Sequence, residues 1–132
     1  PQDIVYIDIR DLEKQEWKTI NTLNIKHFTP EDRRLIGIEK IATEVRSYFS
    51  DYDAVYVSFD VDSLDPEISH GTGTSAPDGL SLEEAKKLIK TFSRMPNLKA
   101  LEITEVNPLM DTENKMADAV VKILRESLRF QD

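Results

Sequence analysis

The apolar positions of this chain fall into two alternating rhythms. Ile4-Val5-Tyr6-Ile7-Asp8-Ile9 reads as a first strand, and Ile25-Lys26-His27-Phe28 as a short second one. Between them residues 11–24 are polar, with a short helical turn around Glu16-Trp17. Thr29-Pro30-Glu31-Asp32 combines an N-cap threonine, a proline at the first helical position and acids in the first turn. The helix it starts is predicted to run to about Tyr48, because Ile38, Ile41, Ala42, Val45, Tyr48 and Phe49 follow the 3.6-residue period. Residues 54–59 read as a third, apolar strand of the kind buried in parallel sheets. A long loop over 60–80 follows, and loops of that length in compact domains are usually functional. Ser81-Leu82-Glu83-Glu84 is a capping box, so a helix is predicted to about Arg94. Met95-Pro96-Asn97 makes a turn into a fourth strand, Leu98–Ile103. Asp111-Thr112 opens a last helix to about Phe130, with Met116, Val120, Ile123 and Leu124 on one face. Strand alternating with helix implies an α/β fold: a parallel sheet flanked by helices, with no internal domain boundary.

Composition narrows the function classes. The 132 residues are one domain's worth of chain, with ordinary apolar and charged content. A net charge of −8 argues against nucleic acid and against an anionic membrane surface, and suits a cationic substrate. There is no cysteine, hence no disulfide and no thiolate metal site. No apolar run approaches the ~20 residues of a membrane span, and no signal-peptide pattern is present, so a cytoplasmic location is expected. The chain starts without Met and enters a strand almost at once, which reads as a fragment of a longer polypeptide.

The chemistry concentrates in Ser58-Phe59-Asp60-Val61-Asp62-Ser63-Leu64-Asp65-Pro66. Ligands of open α/β folds sit beyond the carboxyl ends of the strands, where Asp60 and Asp62 fall. In an extended segment the two side chains would share a face. At ~5 Å and an effective dielectric of ~20 they would repel by about 3 kcal/mol, a cost that a cation turns into attraction. Hard carboxylates suit magnesium or manganese. On the motif alone, a solvated pair capping a turn accounts for the two acids equally well. Asp65 reads as a turn element before Pro66.

That run, followed by Gly71-Thr72-Gly73-Thr74, Gly79-Leu80 and Glu105-Val106-Asn107-Pro108, resembles the ureohydrolase superfamily and, within it, the arginases. Ile9-Arg10-Asp11 and Gly37-Ile38 are similar too, so the likeness covers essentially all of the chain but only the second half of the family pattern. It implies the C-terminal portion of an arginase-type three-layer α/β fold. It further implies manganese-dependent hydrolysis of a guanidino substrate, L-arginine to L-ornithine and urea, on a site of two manganese ions. By the same resemblance Asp60 bridges both ions and Asp62 binds one. Glu105 pairs with the substrate guanidinium, a bidentate, charge-assisted contact, and the Thr74 hydroxyl contacts the substrate. Glu13 stands where the family usually has an aspartate for the substrate's α-amino group, and Glu16 assists. Glu83-Glu84 replace an Arg-Glu pair that relatives use between subunits; trimers or hexamers are expected through other contacts. The upstream Gly-Gly-Asp-His and Asp-Ala-His-x-Asp elements and a further histidine are absent, so the isolated chain is expected to be inactive and to need an upstream half as its partner. An agmatinase- or formiminoglutamase-type activity, or a catalytically silent assembly module, are the alternatives.

Overall fold

The computed structural model describes residues 1–127, and its elements alternate strand and helix. They are β1 (Val5–Ile7), α1 (Lys14–Thr22), β2 (Lys26–Phe28), α2 (Pro30–Ile36), α3 (Ile38–Tyr48), β3 (Val55–Asp60), a single 3₁₀ turn (Val61–Ser63), α4 (Leu82–Phe92), β4 (Leu98–Thr104) and α5 (Lys115–Ser127). The predicted end of the last helix near Phe130 lies outside the described residues.

Several boundaries differ from the pattern-based reading, each for a local reason. The first strand stops at Ile7 because Asp8 takes a left-handed backbone, φ 62°, before Ile9 N–H rejoins Phe28 O at 3.2 Å. The turn expected near Trp17 is a full nine-residue helix, α1, which buries Ile20. The single helix expected over 30–48 is two, broken at Gly37, whose φ of 82° is open to glycine and strained for any other residue. Thr29 caps α2 as its sequence signals: Thr29 Oγ1 accepts from Asp32 N–H at 3.2 Å, and Thr29 N–H donates to the Asp32 carboxylate at 2.8 Å. Ser81 and Glu84 cap α4 in the same way. Asp111 does not open α5 as part of the helix. It stands four residues ahead, and its carboxylate accepts from Met116 N–H and Ala117 N–H at 3.0 and 3.1 Å.

Both strand pairs are parallel, β1 with β2 and β3 with β4. Among the described residues the pairs are not joined into one sheet. A cavity of about 710 Å³ separates them. It is lined by consecutive residues of β1, from Val5 to Ile7, and of β3, from Val55 to Asp60. Side chains on one face of a strand alternate, so an unbroken run means that the two backbone edges face the gap. The third strand is for this reason not buried throughout: Tyr56 keeps 58% of its surface exposed, and Ser58 and Asp60 are exposed as well.

Helices α3, α4 and α5 close the other side. Ile41, Ile89, Met116 and Ile123 meet there in a core from which water is excluded. Val61, Leu64 and Leu80, from the start and the end of the long loop, join the same core with 0–2% exposure. The acidic loop is therefore anchored by the hydrophobic effect at both of its ends, at roughly 1.5–3 kcal/mol for each large side chain buried.

Candidate metal and substrate site

The carboxyl ends of β3 and β4 lie together because the pair is parallel. A register irregularity after Val55 sets Asp60 opposite Thr104. Glu105 is the next residue, with a left-handed φ of 62°, and its side chain is exposed. Beyond Asp60 the chain does not stay extended. It enters the 3₁₀ turn, and Asp60 Oδ1 accepts from Asp62 N–H at 2.8 Å. Asp60 thus does cap a turn, and the two acids converge through that cap rather than through a shared strand face.

Asp62 is held differently. One of its carboxylate oxygens, Oδ2, accepts from the Thr74 hydroxyl. The other, Oδ1, is buried and has no hydrogen-bond partner. A buried carboxylate oxygen without a donor is costly, about 1–3 kcal/mol or more for a charged group, so this atom marks a place for a missing positive partner. Burial pushes the Asp60 carboxyl above its ordinary range, and the neighbouring Asp62 charge adds to the rise; the Asp62 N–H and the Arg10 cation offset it only in part.

The 60–80 loop closes on itself. Leu80 N–H donates to Ser63 O at 2.8 Å and Asp65 N–H to Leu80 O at 2.9 Å, which makes a parallel bridge between Leu64 and Leu80. Gly79 permits the approach: a Cβ there would stand 2.5 Å from the Leu64 carbonyl carbon. Asp65 has the turn role expected of it, accepting from Glu67 N–H at 3.1 Å.

Arg10 and Asp8 line the same cavity although neither was a candidate site residue on sequence grounds. The Asp8 carboxylate is fully buried and accepts from Arg33 Nε–H at 2.7 Å and from Arg10 at 3.4 Å. Burial raises its pKa more than the two guanidinium groups lower it. Arg33 continues to Glu84 at 3.1 Å through both carboxylate oxygens. Glu84, one of the two acids that replace the expected intersubunit pair, is thus taken up within the chain. A charged residue inside an otherwise apolar strand pattern was the available signal for Asp8; for Arg10 there was none beyond its place in the Ile9-Arg10-Asp11 run.

The structure brings Asp60, Asp62 and Thr74 together on the cavity wall, with Asp11 at the same cavity. Glu105, Glu13 and Glu16 lie outside that wall. Glu13 precedes α1, where its N–H donates to Glu16 Oε2 at 2.7 Å, so Glu16 is engaged at the helix start. His27 and His70 are bonded to the carbonyls of Ile25 and Glu67, both at 2.9 Å. No group of three or more His, Cys, Asp or Glu side chains suited to a metal gathers among the described residues. Asp60 and Asp62 have the hard oxygen donors that Mg²⁺ or Mn²⁺ prefers, and they fit as part of a larger donor set.

Comparison with known proteins bears on the family and the fold. The arginase family profile matches residues 1–129. An arginase of Entamoeba histolytica is 37% identical over 113 residues, which is 86% of this chain and 38% of that protein. The crystal structure of Entamoeba histolytica arginase in complex with L-ornithine superimposes with a TM-score of 0.92 at 33% identity, over 98% of this chain and 44% of that one. A formimidoylglutamase from Bacillus subtilis shares the fold, with a TM-score of 0.90 at 24% identity over 97% of this chain and 41% of that one. The chain spans about two-fifths of the length of the relatives it matches.

Proposed function

The chain belongs to the arginase family, and from that premise we propose that it forms the C-terminal half of a manganese-dependent hydrolase that converts L-arginine to L-ornithine and urea. The observation that carries the proposal is the buried, unpartnered Asp62 Oδ1 beside Asp60 at the ends of two parallel strands. The L-ornithine bound by the Entamoeba histolytica relative favours arginine over other guanidino compounds.

In this reading Asp60 and Asp62 are two of the ligands of a manganese pair. The metal, when bound, supplies Lewis acidity and an activated water. Asp62 offers its free Oδ1, while Thr74 fixes the other oxygen. Glu105, just past the end of β4, pairs with the substrate guanidinium and holds it planar against the site. Glu13 and Glu16, at the start of α1, take the α-amino end. Thr74 stands near enough to Asp62 to serve both its carboxylate and the substrate. The remaining ligands come from upstream polypeptide, and an extended segment of it enters the gap between β1 and β3, whose backbone edges are unpaired there. Homo-oligomerisation and a cytoplasmic location belong to the same proposal and rest on the family resemblance. No helix among the described residues is long and apolar enough to cross a membrane.

The test is urea release by the full-length protein, metal-stripped and then restored with Mn²⁺, with arginine and agmatine compared side by side. Manganese-dependent release from arginine is the expected result. A preference for agmatine would move the assignment to another ureohydrolase, and no release from either would reduce the family membership to ancestry.

A further inference from the structure

Arg10 places its charge in an unusual way. Its Nη2 donates to the backbone carbonyls of Asp62 at 2.7 Å, Ala76 at 3.1 Å and Leu64 at 3.3 Å. Its Nε donates to Pro77 O at 3.1 Å, and its Nη1 reaches Asp8 O and Oδ2, both at 3.4 Å. The side chain is 13% exposed. Four of its acceptors are carbonyl oxygens of two loop segments, 62–64 and 76–77, that flank Thr74 on either side.

A cation this close to two acids would ordinarily sit on their carboxylates. Arg10 instead holds Asp62 by its main-chain oxygen and leaves the Oδ1 carboxylate atom without a partner. It thus fixes the loop without occupying the place that a metal ion would take. Asp8 sets up the arrangement from behind: its left-handed backbone turns the chain out of β1, and its buried carboxylate, shared between Arg33 and Arg10, orients the guanidinium. Neither Lys nor Gln reproduces this. A guanidinium presents five N–H groups in one rigid plane, an ammonium three about a point, an amide two.

We propose that Arg10 is the positioning residue of the metal site: by tying residues 62–64 to 76–77 it sets the orientation of the Asp62 carboxylate and of the Thr74 hydroxyl that bonds it, and so sets metal affinity. This rests on the metal-binding reading above. The hydrogen bonds of Arg10 all go to protein atoms, and its effect passes through the loop.

The experiment compares full-length wild type with R10K and R10Q. Mn²⁺ affinity and stoichiometry are read from the electron paramagnetic resonance of the free ion, with no turnover involved. Thermal unfolding of the metal-free protein and amide exchange at Leu64, Asp65 and Leu80 are measured alongside. Both variants are expected to stay folded with a lower melting temperature, R10Q the more so, because each carbonyl left without its donor costs stability. They are expected to bind Mn²⁺ about 10–100-fold more weakly, the range for residues that orient a ligand. The three amides should exchange at least about tenfold faster. At saturating metal the KM for substrate should stay near wild type, because the donors of Arg10 are spent on protein acceptors. Unchanged Mn²⁺ affinity per folded molecule, with or without a lower melting temperature, would overturn the proposal and leave Arg10 a structural residue. Wild type that binds no Mn²⁺ would instead overturn the metal reading, and the exchange rates would still show whether Arg10 clamps the loop.

Discussion

Asp60 is exposed as a residue, yet its carboxyl is less comfortable than a fully solvated one. Its pKa is raised, first by burial and then by Asp62, so the fold favours its protonated form. The linkage sign follows: Asp60 supports the metal-free fold while protonated and opposes it as pH rises through its elevated pKa. Asp60→Asn keeps an oxygen to accept from Asp62 N–H and removes the charge. The metal-free D60N protein should therefore melt slightly higher than wild type at pH 7, while Mn²⁺ affinity collapses. Such an exchange of stability for function is common at sites that store unfavourable charge; a melting curve and a metal titration check both halves. Gly79 is constrained in the opposite sense. A methyl group there meets the Leu64 carbonyl carbon at 2.5 Å and the Asp65 nitrogen at 2.6 Å, backbone atoms with little freedom to retreat. Gly79→Ala is expected to cost about 1–3 kcal/mol by overpacking, measurable by urea unfolding. It should also loosen the bridge that holds residues 64 and 80 together.

The helices owe their ends to a few polar side chains, and several of those are acids. Hydrogen bonds from the Thr29 N–H and hydroxyl hold Asp32 below the ordinary carboxylate range. Those from Met116, Ala117 and Thr112 do the same for Asp111. At Glu84 burial pushes upward, but the Ser81 bonds and the Arg33 guanidinium outweigh it and the net shift is down. Depressed pKa values mean stability that is fully present above the ordinary range near pH 4 and is lost as pH falls below it. The melting temperature should drop on acidification from about pH 5 to 3, and Asp111→Asn should flatten that slope. Thr29→Ala removes a cap at a cost of about 1 kcal/mol. These caps were legible in the sequence because the chemistry is local: Thr29-Pro30-Glu31-Asp32 and Ser81-Leu82-Glu83-Glu84 announce helix starts without tertiary help. The break at Gly37 was not, since one glycine inside a periodic apolar pattern is usually tolerated. Helix α1 was legible only as a short turn near Trp17 because it buries only Ile20 fully, too little for a visible period. The acids of the site were legible as motifs, with their positions after strands. The role of Arg10 was not, because its loop partners are main-chain carbonyls 52–67 residues away, which no side-chain pattern records.

At the scale of the whole molecule the decisive feature is the gap between two parallel pairs. Unpaired strand edges present rows of N–H and C=O groups, and in water such edges recruit other chains. Here the edges of β1 and β3 face one another across about 710 Å³, with Val5, Ile7, Val57 and Phe59 on the walls. An extended segment entering the gap would satisfy backbone groups on both sides and shield those apolar walls. It would also join the end of β1 to the end of β3 through a continuous sheet, adding to the Arg10–Asp62 bond that already links the loops beyond them. Completion of the sheet and completion of the site are then one event, and residues 1–132 alone should achieve neither. Expressed alone, this chain is expected to associate or aggregate through its edges, to bind Mn²⁺ weakly and without a defined stoichiometry, and to release no urea from arginine. Co-expressed with the remainder of its protein as a separate polypeptide, it should form a stable complex that binds two manganese ions per site and turns over. Analytical ultracentrifugation, metal analysis and a urea assay on the two preparations test this directly. Tight, stoichiometric manganese binding by the lone chain would separate the metal site from the sheet and defeat the argument.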